Sequence, residues 1–123
     1  MRVTQPLALV FYQKLMPGSQ LVNRLQDLNY RVRAISEPEQ LLDCAQNDGP
    51  MLIFLDLEPT EALGLITQLR ATPTTAHIPL IAYAAAMAER LEAGKQQGAT
   101  LAVSEAALLS HLPGLLEQAL RIE

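Results

Sequence analysis

Tryptophan is missing from this sequence, cysteine occurs once, and aromatic residues make up only 4% of it. The lone Cys44 has no partner within the chain, which excludes an internal disulfide framework and fits a thiol kept reduced. With so few rings, a core must be filled by Leu, Ile, Val and Ala. No apolar run approaches the roughly 20 residues needed to cross a bilayer, and the opening residues lack the apolar segment of a secretory signal. These features predict a cytoplasmic protein that meets no membrane. Basic runs are absent too: Lys and Arg number 9 against 13 Asp and Glu, a formal charge of -4. Phosphate backbones attract concentrated positive charge, so direct nucleic-acid binding is not expected.

Chemical motifs are equally sparse. The six glycines are dispersed, with no compact loop to wrap phosphates and no lysine-bearing P-loop. No serine sits in a Gly-x-Ser-x-Gly elbow. His77 and His111 are the only histidines and lie in separate regions, without the spacing of a metal site. No cofactor and no resident metal are expected, and an enzyme or small-ligand sensor is the weakest functional class.

What the sequence does have is half its residues hydrophobic and 18% charged over 123 positions. That balance and length predict a single packed domain over residues 1–123. Ala8 to Tyr12 is a short apolar run, Tyr30 to Ile35 alternates apolar with basic residues, and Met51 to Leu57 is nearly continuous in apolar character. Ile78 to Ala84 gives a fourth strand and Thr100 to Val103 a weak fifth. Continuous apolar strands suit a parallel sheet covered on both faces.

Helical spacing fills the intervals. Pro17, Gly18 and Ser19 read as a turn, after which Leu21, Val22, Leu25 and Leu28 share a face. Ser36 and Glu39 have the spacing of a capping box before Leu41, Leu42 and Ala45, and Gly49-Pro50 is a stop signal. Leu63, Ile66 and Leu69 form a further stripe, Met87, Leu91 and Gly94 another, and Leu112, Leu115, Leu116, Ala119 and Leu120 a terminal one that tolerates Pro113 in its first turn. The resulting order is βαβαβαβαβα, a parallel sheet with helices on both faces.

Within that order Asp56 ends the third strand, Gly64 lies eight residues later, Arg70 follows, Ile78-Pro79-Leu80-Ile81 opens the fourth strand and Gly98-Ala99 precedes the fifth. Taken together over residues 7–121, this arrangement resembles the receiver domain of bacterial response regulators. The resemblance implies a flavodoxin-like three-layer α/β/α sandwich, with a five-stranded parallel sheet of order 2-1-3-4-5. It also implies an aspartyl phosphate formed on Asp56 by transfer from a phosphohistidine, assisted by magnesium.

Several roles implied by the resemblance are nevertheless missing. Where a pair of acids would follow the first strand, the sequence reads Phe11-Tyr12-Gln13. A hard magnesium ion prefers several oxygen ligands with matching charge, which one carboxylate and one amide do not supply. Ala84 falls where a hydroxyl would bind a phosphoryl oxygen. Glu105, or Ser104 if the loop is one residue shorter, falls where a lysine would approach the phosphate, and neither brings positive charge.

Asp56 therefore reads first as a vestigial phosphoacceptor that caps a helix or binds loop amides. The expected function is that of a non-catalytic pseudo-receiver, a regulatory module that binds a protein partner or a second copy of itself. By resemblance, its contact face comprises the fourth helix, fifth strand and fifth helix, represented by Met87, Leu91, Leu101, Leu112 and Leu116. An atypical receiver still phosphorylated on Asp56 is the alternative.

Overall fold

A computed structural model describes residues 6–13, 15–85 and 88–120, among which run five strands and six helices. In chain order these are β1 (Leu7–Phe11), α1 (Leu15–Asp27), β2 (Arg31–Ile35), α2 (Pro38–Asp48), β3 (Leu52–Asp56), α3 (Ala62–Ala71), β4 (Leu80–Ala84), α4 (Ala88–Gln97), β5 (Leu101–Ser104), α5 (Glu105–Ser110) and α6 (Leu112–Leu120). All strand pairs are parallel, in the order β2-β1-β3-β4-β5. This is the three-layer, doubly wound architecture expected from the sequence.

The pleat explains which side chains face which layer. Successive strand residues point to opposite faces. Leu9, Phe11, Ile53, Leu55, Leu80 and Ala82 share one core with Leu41 and Ala45 of α2 and with Leu65, Ile66 and Leu69 of α3. Their neighbours Ala8, Val10, Leu52, Phe54, Ile81 and Tyr83 share the other with Leu21 and Leu25 of α1, Leu108 of α5 and Leu112, Leu116 and Ala119 of α6. Both β3 and β4 are buried along their whole length, whereas the edge strand β2 exposes Arg31, Arg33 and Ala34. Burial on two faces is why the inner strands read as unbroken apolar runs.

Three local expectations are corrected. Gly18 and Ser19 lie inside α1 rather than in a turn before it. Helix α2 begins with Pro38 at its first position behind Glu37, and no side chain caps its N-terminus, so the Ser36 and Glu39 box does not form there. Proline at that position needs no donor and already has helical φ, which fixes the start without a cap. The chain's end is two helices rather than one, α5 and α6, separated at His111. The chain leaves α1 through Asn29, the one described non-glycine residue with positive φ, at 71°. Asparagine tolerates that left-handed region and commonly ends helices.

The edge of the sheet where the strands begin is held by Arg70 of α3. Its Nε donates to the Gly98 carbonyl at 2.8 Å, Nη1 to the carbonyls of Ala76 at 2.9 Å and Ile78 at 2.7 Å, and Nη2 to Thr100 Oγ1 at 3.3 Å. One guanidinium thereby ties together the segments that enter β4 and β5. Gly98, at φ 124°, is required twice over: by that backbone angle, and because a Cβ there would lie 2.7 Å from Arg70 Cγ. Arg70 thus acts at the edge opposite Asp56.

Candidate functional site

In a doubly wound sheet, ligands meet the carboxyl ends of strands where the winding direction reverses. Here that point lies between β1 and β3, at Tyr12 and Asp56. Asp56 is the last residue of β3 and only 3% exposed. Burying a carboxylate costs several kcal/mol by order of magnitude unless hydrogen bonds replace water, and one of its contacts is local. The Glu58 N–H donates to Asp56 Oδ1 at 2.9 Å, so the side chain folds back on the loop that leaves the strand. Leu57 N–H then donates to the Tyr83 carbonyl at 2.8 Å, extending the β3–β4 pairing by one residue.

At the end of β1 the two positions that the resemblance would fill with acids are both engaged. Tyr12 continues the ladder, its N–H donating to the Ile35 carbonyl at 3.0 Å, and its half-buried ring lies against Gly18 of α1. Gln13 is exposed, and its Nε2 donates to the Ser36 carbonyl at 3.2 Å. The amide therefore bridges the ends of β1 and β2 rather than turning to Asp56. Beside them lies a cavity of about 350 Å³ lined by Tyr12, Gln13, Ala34, Ile35 and Ser36, without a carboxylate in its wall.

Among the described residues, the ends of β4 and β5 bring no cationic side chain. Ala84 is buried and has only a methyl to offer. Its β5 partner in register is Ser104. That serine is the N-cap of α5, its Oγ accepting from the Ala107 N–H at 3.2 Å. Glu105 is the first residue of the same helix, where a carboxylate is favoured by the helix dipole. Both have structural reasons for their identity. Helix α5 begins immediately after β5.

Tyr83 pairs with Asp56 in register and is fully buried. Among the described residues its hydroxyl has no hydrogen-bond partner. Burial pushes the phenol well above its ordinary value, and electrostatic interactions with Asp56, Glu105 and Tyr12 act in the same direction. It is a neutral group at any physiological pH.

Arg90 is the site residue that sequence reasoning missed. It lies in α4, and its Nη2 donates to the Leu57 carbonyl at 2.5 Å and the Glu58 carbonyl at 2.9 Å, with a longer contact to the Pro59 carbonyl at 3.5 Å. Its one sequence signal was weak: a cation near a helix N-terminus runs against the dipole. Glu58, Ala84, Ala85 and Arg90 line a cavity of about 250 Å³ at the same edge.

The residues present do not fit the magnesium that the resemblance implies. Among the described residues, no three or more His, Cys, Asp or Glu side chains are grouped to hold a metal. The Gln13 amide is turned to Ser36 and the carbonyls after Asp56 receive a guanidinium.

The face formed by α4, β5 and the helices after it is less open than the sequence implied. Leu112 and Leu116 are 1% and 7% exposed and belong to the core, so they are corrected from contact residues to packing residues. Leu91 and Leu101 are half-buried against the two cores, and Met87 lies outside the described residues. What is accessible is a shallow hollow of about 400 Å³ lined by Leu91, Glu92, Lys95 and Ala102. No helix among the described residues is long and apolar enough to cross a membrane.

A parallel sheet of order 2-1-3-4-5 with helices on both faces defines the flavodoxin-like class. Within it the chain has the CheY-like fold of response-regulator receiver domains. A protein described as a response regulator from Chloroflexus aurantiacus superposes with a TM-score of 0.89 at 18% identity, covering 97% of this chain and 100% of that one. The Vibrio cholerae chemotaxis protein CheY4 gives 0.82 at 18% identity, over 94% and 99% of the two chains. A Burkholderia pseudomallei response regulator, whose structure contains a phosphorylated aspartic acid and a calcium ion, gives 0.75 at 18% identity, over 94% and 66%. No family model and no curated protein sequence matches the chain.

Proposed function

We propose that this chain is a receiver-like signalling module that works by binding another protein or a second copy of itself, without catalysis and without magnesium-supported phosphorylation of Asp56. The observation that carries this reading is the state of Asp56, a 3% exposed carboxylate folded onto its own loop, beside a β1 end that supplies Tyr12 and Gln13 instead of acids. An in-line phosphoryl transfer needs an accessible nucleophile and cations that gather charge in the transition state. Asp56 is buried, and the end of β1 offers Tyr12 and Gln13 rather than acids that would gather a metal cation. The shallow hollow between α4 and β5, with Leu91 and Ala102 between Glu92 and Lys95, is the recognition surface in this reading: an apolar centre with a charged rim, as protein interfaces are commonly built.

The second reading is phosphorylation on Asp56, favoured by that residue's place at the end of β3 and by the phosphorylated aspartic acid of the Burkholderia pseudomallei protein. One experiment separates the two. The chain is incubated with a small phosphodonor and magnesium, and its intact mass is recorded beside that of Asp56→Asn. The pseudo-receiver reading expects no phosphoryl adduct on either; a stable adduct on the wild type that Asp56→Asn abolishes would overturn it. Self-association, measured by light scattering, is expected to be the same with and without the phosphodonor, and a donor-dependent change would count equally against it.

A further inference from the structure

We propose that the Arg90 guanidinium is a tethered cation that occupies the carbonyl oxygens after Asp56, doing there what a bound metal ion would otherwise do. The N–H of Glu58 is held by Asp56 Oδ1 at 2.9 Å and its C=O by Arg90 Nη2 at 2.9 Å, so an anion and a cation grip the same residue from its two ends. The same Nη2 also takes the Leu57 carbonyl at 2.5 Å and reaches the Pro59 carbonyl at 3.5 Å. Three consecutive carbonyls converging beside a buried carboxylate form the kind of oxygen set that hard cations select. An arginine fills it with permanent charge and without the dehydration that an incoming ion must undergo.

Arg90 comes from α4, more than thirty residues further along the chain, and it therefore couples that helix to the loop behind Asp56. The inference deepens the metal-independence of the proposed function but can fail separately from it: magnesium bound without phosphorylation would sink this inference and leave that reading standing. The test is a titration of the full chain with MgCl2, and separately CaCl2, to about 10 mM, followed in amide correlation spectra by nuclear magnetic resonance. Wild-type amides of residues 56–60 are expected to keep their positions. In Arg90→Met and in the polar variant Arg90→Gln, the same amides should shift along a saturable curve, because the carbonyl set has lost its cation. Saturable shifts at residues 56–60 in the wild type would overturn the proposal, as would their absence in a folded neutral variant.

Discussion

The ring of Tyr12 lies in the space that a side chain at position 18 would occupy: a Cβ built on Gly18 collides with Tyr12 Cδ2, Cγ and Cε2. This relationship reverses an ordinary rule. Glycine inside a helix is usually worse than alanine by about 1 kcal/mol, yet Gly18 sits within α1. Overpacking costs about 1–3 kcal/mol, which exceeds the propensity gain. Gly18→Ala is therefore expected to lower stability by about 1 kcal/mol net, measured by urea unfolding. In a Tyr12→Ala background the obstruction is gone, and the same substitution should raise stability. Equal effects in both backgrounds would show that the ring and the helix do not compete for the site.

A second prediction concerns the Tyr83 hydroxyl, buried without a partner among the described residues. Leaving such a group unsatisfied costs about 1–3 kcal/mol. Tyr83→Phe removes the oxygen and keeps the ring that fills the core beside Phe54 and Ile81. The urea midpoint should rise without a change in slope. A clear loss of stability would reveal a partner for the hydroxyl, such as a bound water.

The same phenol sets an alkaline limit. Its folded pKa lies above the ordinary 10.0, so the folded state holds the proton more tightly than the unfolded chain does. Stability from this difference is complete below the unfolded value. It falls as pH rises above about 10, by about 1.4 kcal/mol per unit, until the folded value is reached. Tyr30, also raised by burial, acts in the same direction from a more open position. Unfolding free energies measured across the alkaline range should decline less steeply for Tyr83→Phe than for the wild type, and parallel declines would contradict the assignment.

These residues also show where the sequence was readable. The inner strands were legible because burial on both faces turns Leu52–Leu55 and Leu80–Ala84 into unbroken apolar runs, a signal that is local in the chain. Asp56 was legible as a strand end for the same reason. Gly18 looks like part of a turn in the sequence because its cause is tertiary, a ring from β1's end pressing on α1. The box at Ser36 and Glu39 was overridden by Pro38, which starts α2 by itself. Ser104 and Glu105 depart from the pattern of a phosphate site, and the structure adds that they cap and start α5. Arg90 was invisible as a site residue because only the β3–β4 pairing and α4 bring it to carbonyls 31 to 33 residues earlier. The fold was thus encoded in local patterns, while the chemistry of the site depended on contacts between distant segments.

The last prediction separates packing from recognition on the α4–β5 side. Leu116 is 7% exposed and shares a core with Leu21, Leu25 and Phe54. Leu116→Ala removes buried methyl groups and leaves a cavity, at a cost of about 2–5 kcal/mol. Any loss of association in that variant follows from a damaged fold. Ala102 is half-buried on the edge strand β5 and lines the hollow with Leu91, Glu92 and Lys95. Ala102→Arg places a long, charged side chain in the hollow, and its head can stay in water while its stem covers the strand. Its unfolding free energy should stay within about 1 kcal/mol of the wild type. If the hollow is the recognition surface, self-association or partner binding should fall by at least about tenfold, equivalent to about 1.4 kcal/mol. A stable Ala102→Arg chain that associates like the wild type would remove this hollow from consideration and send the search to the other helices.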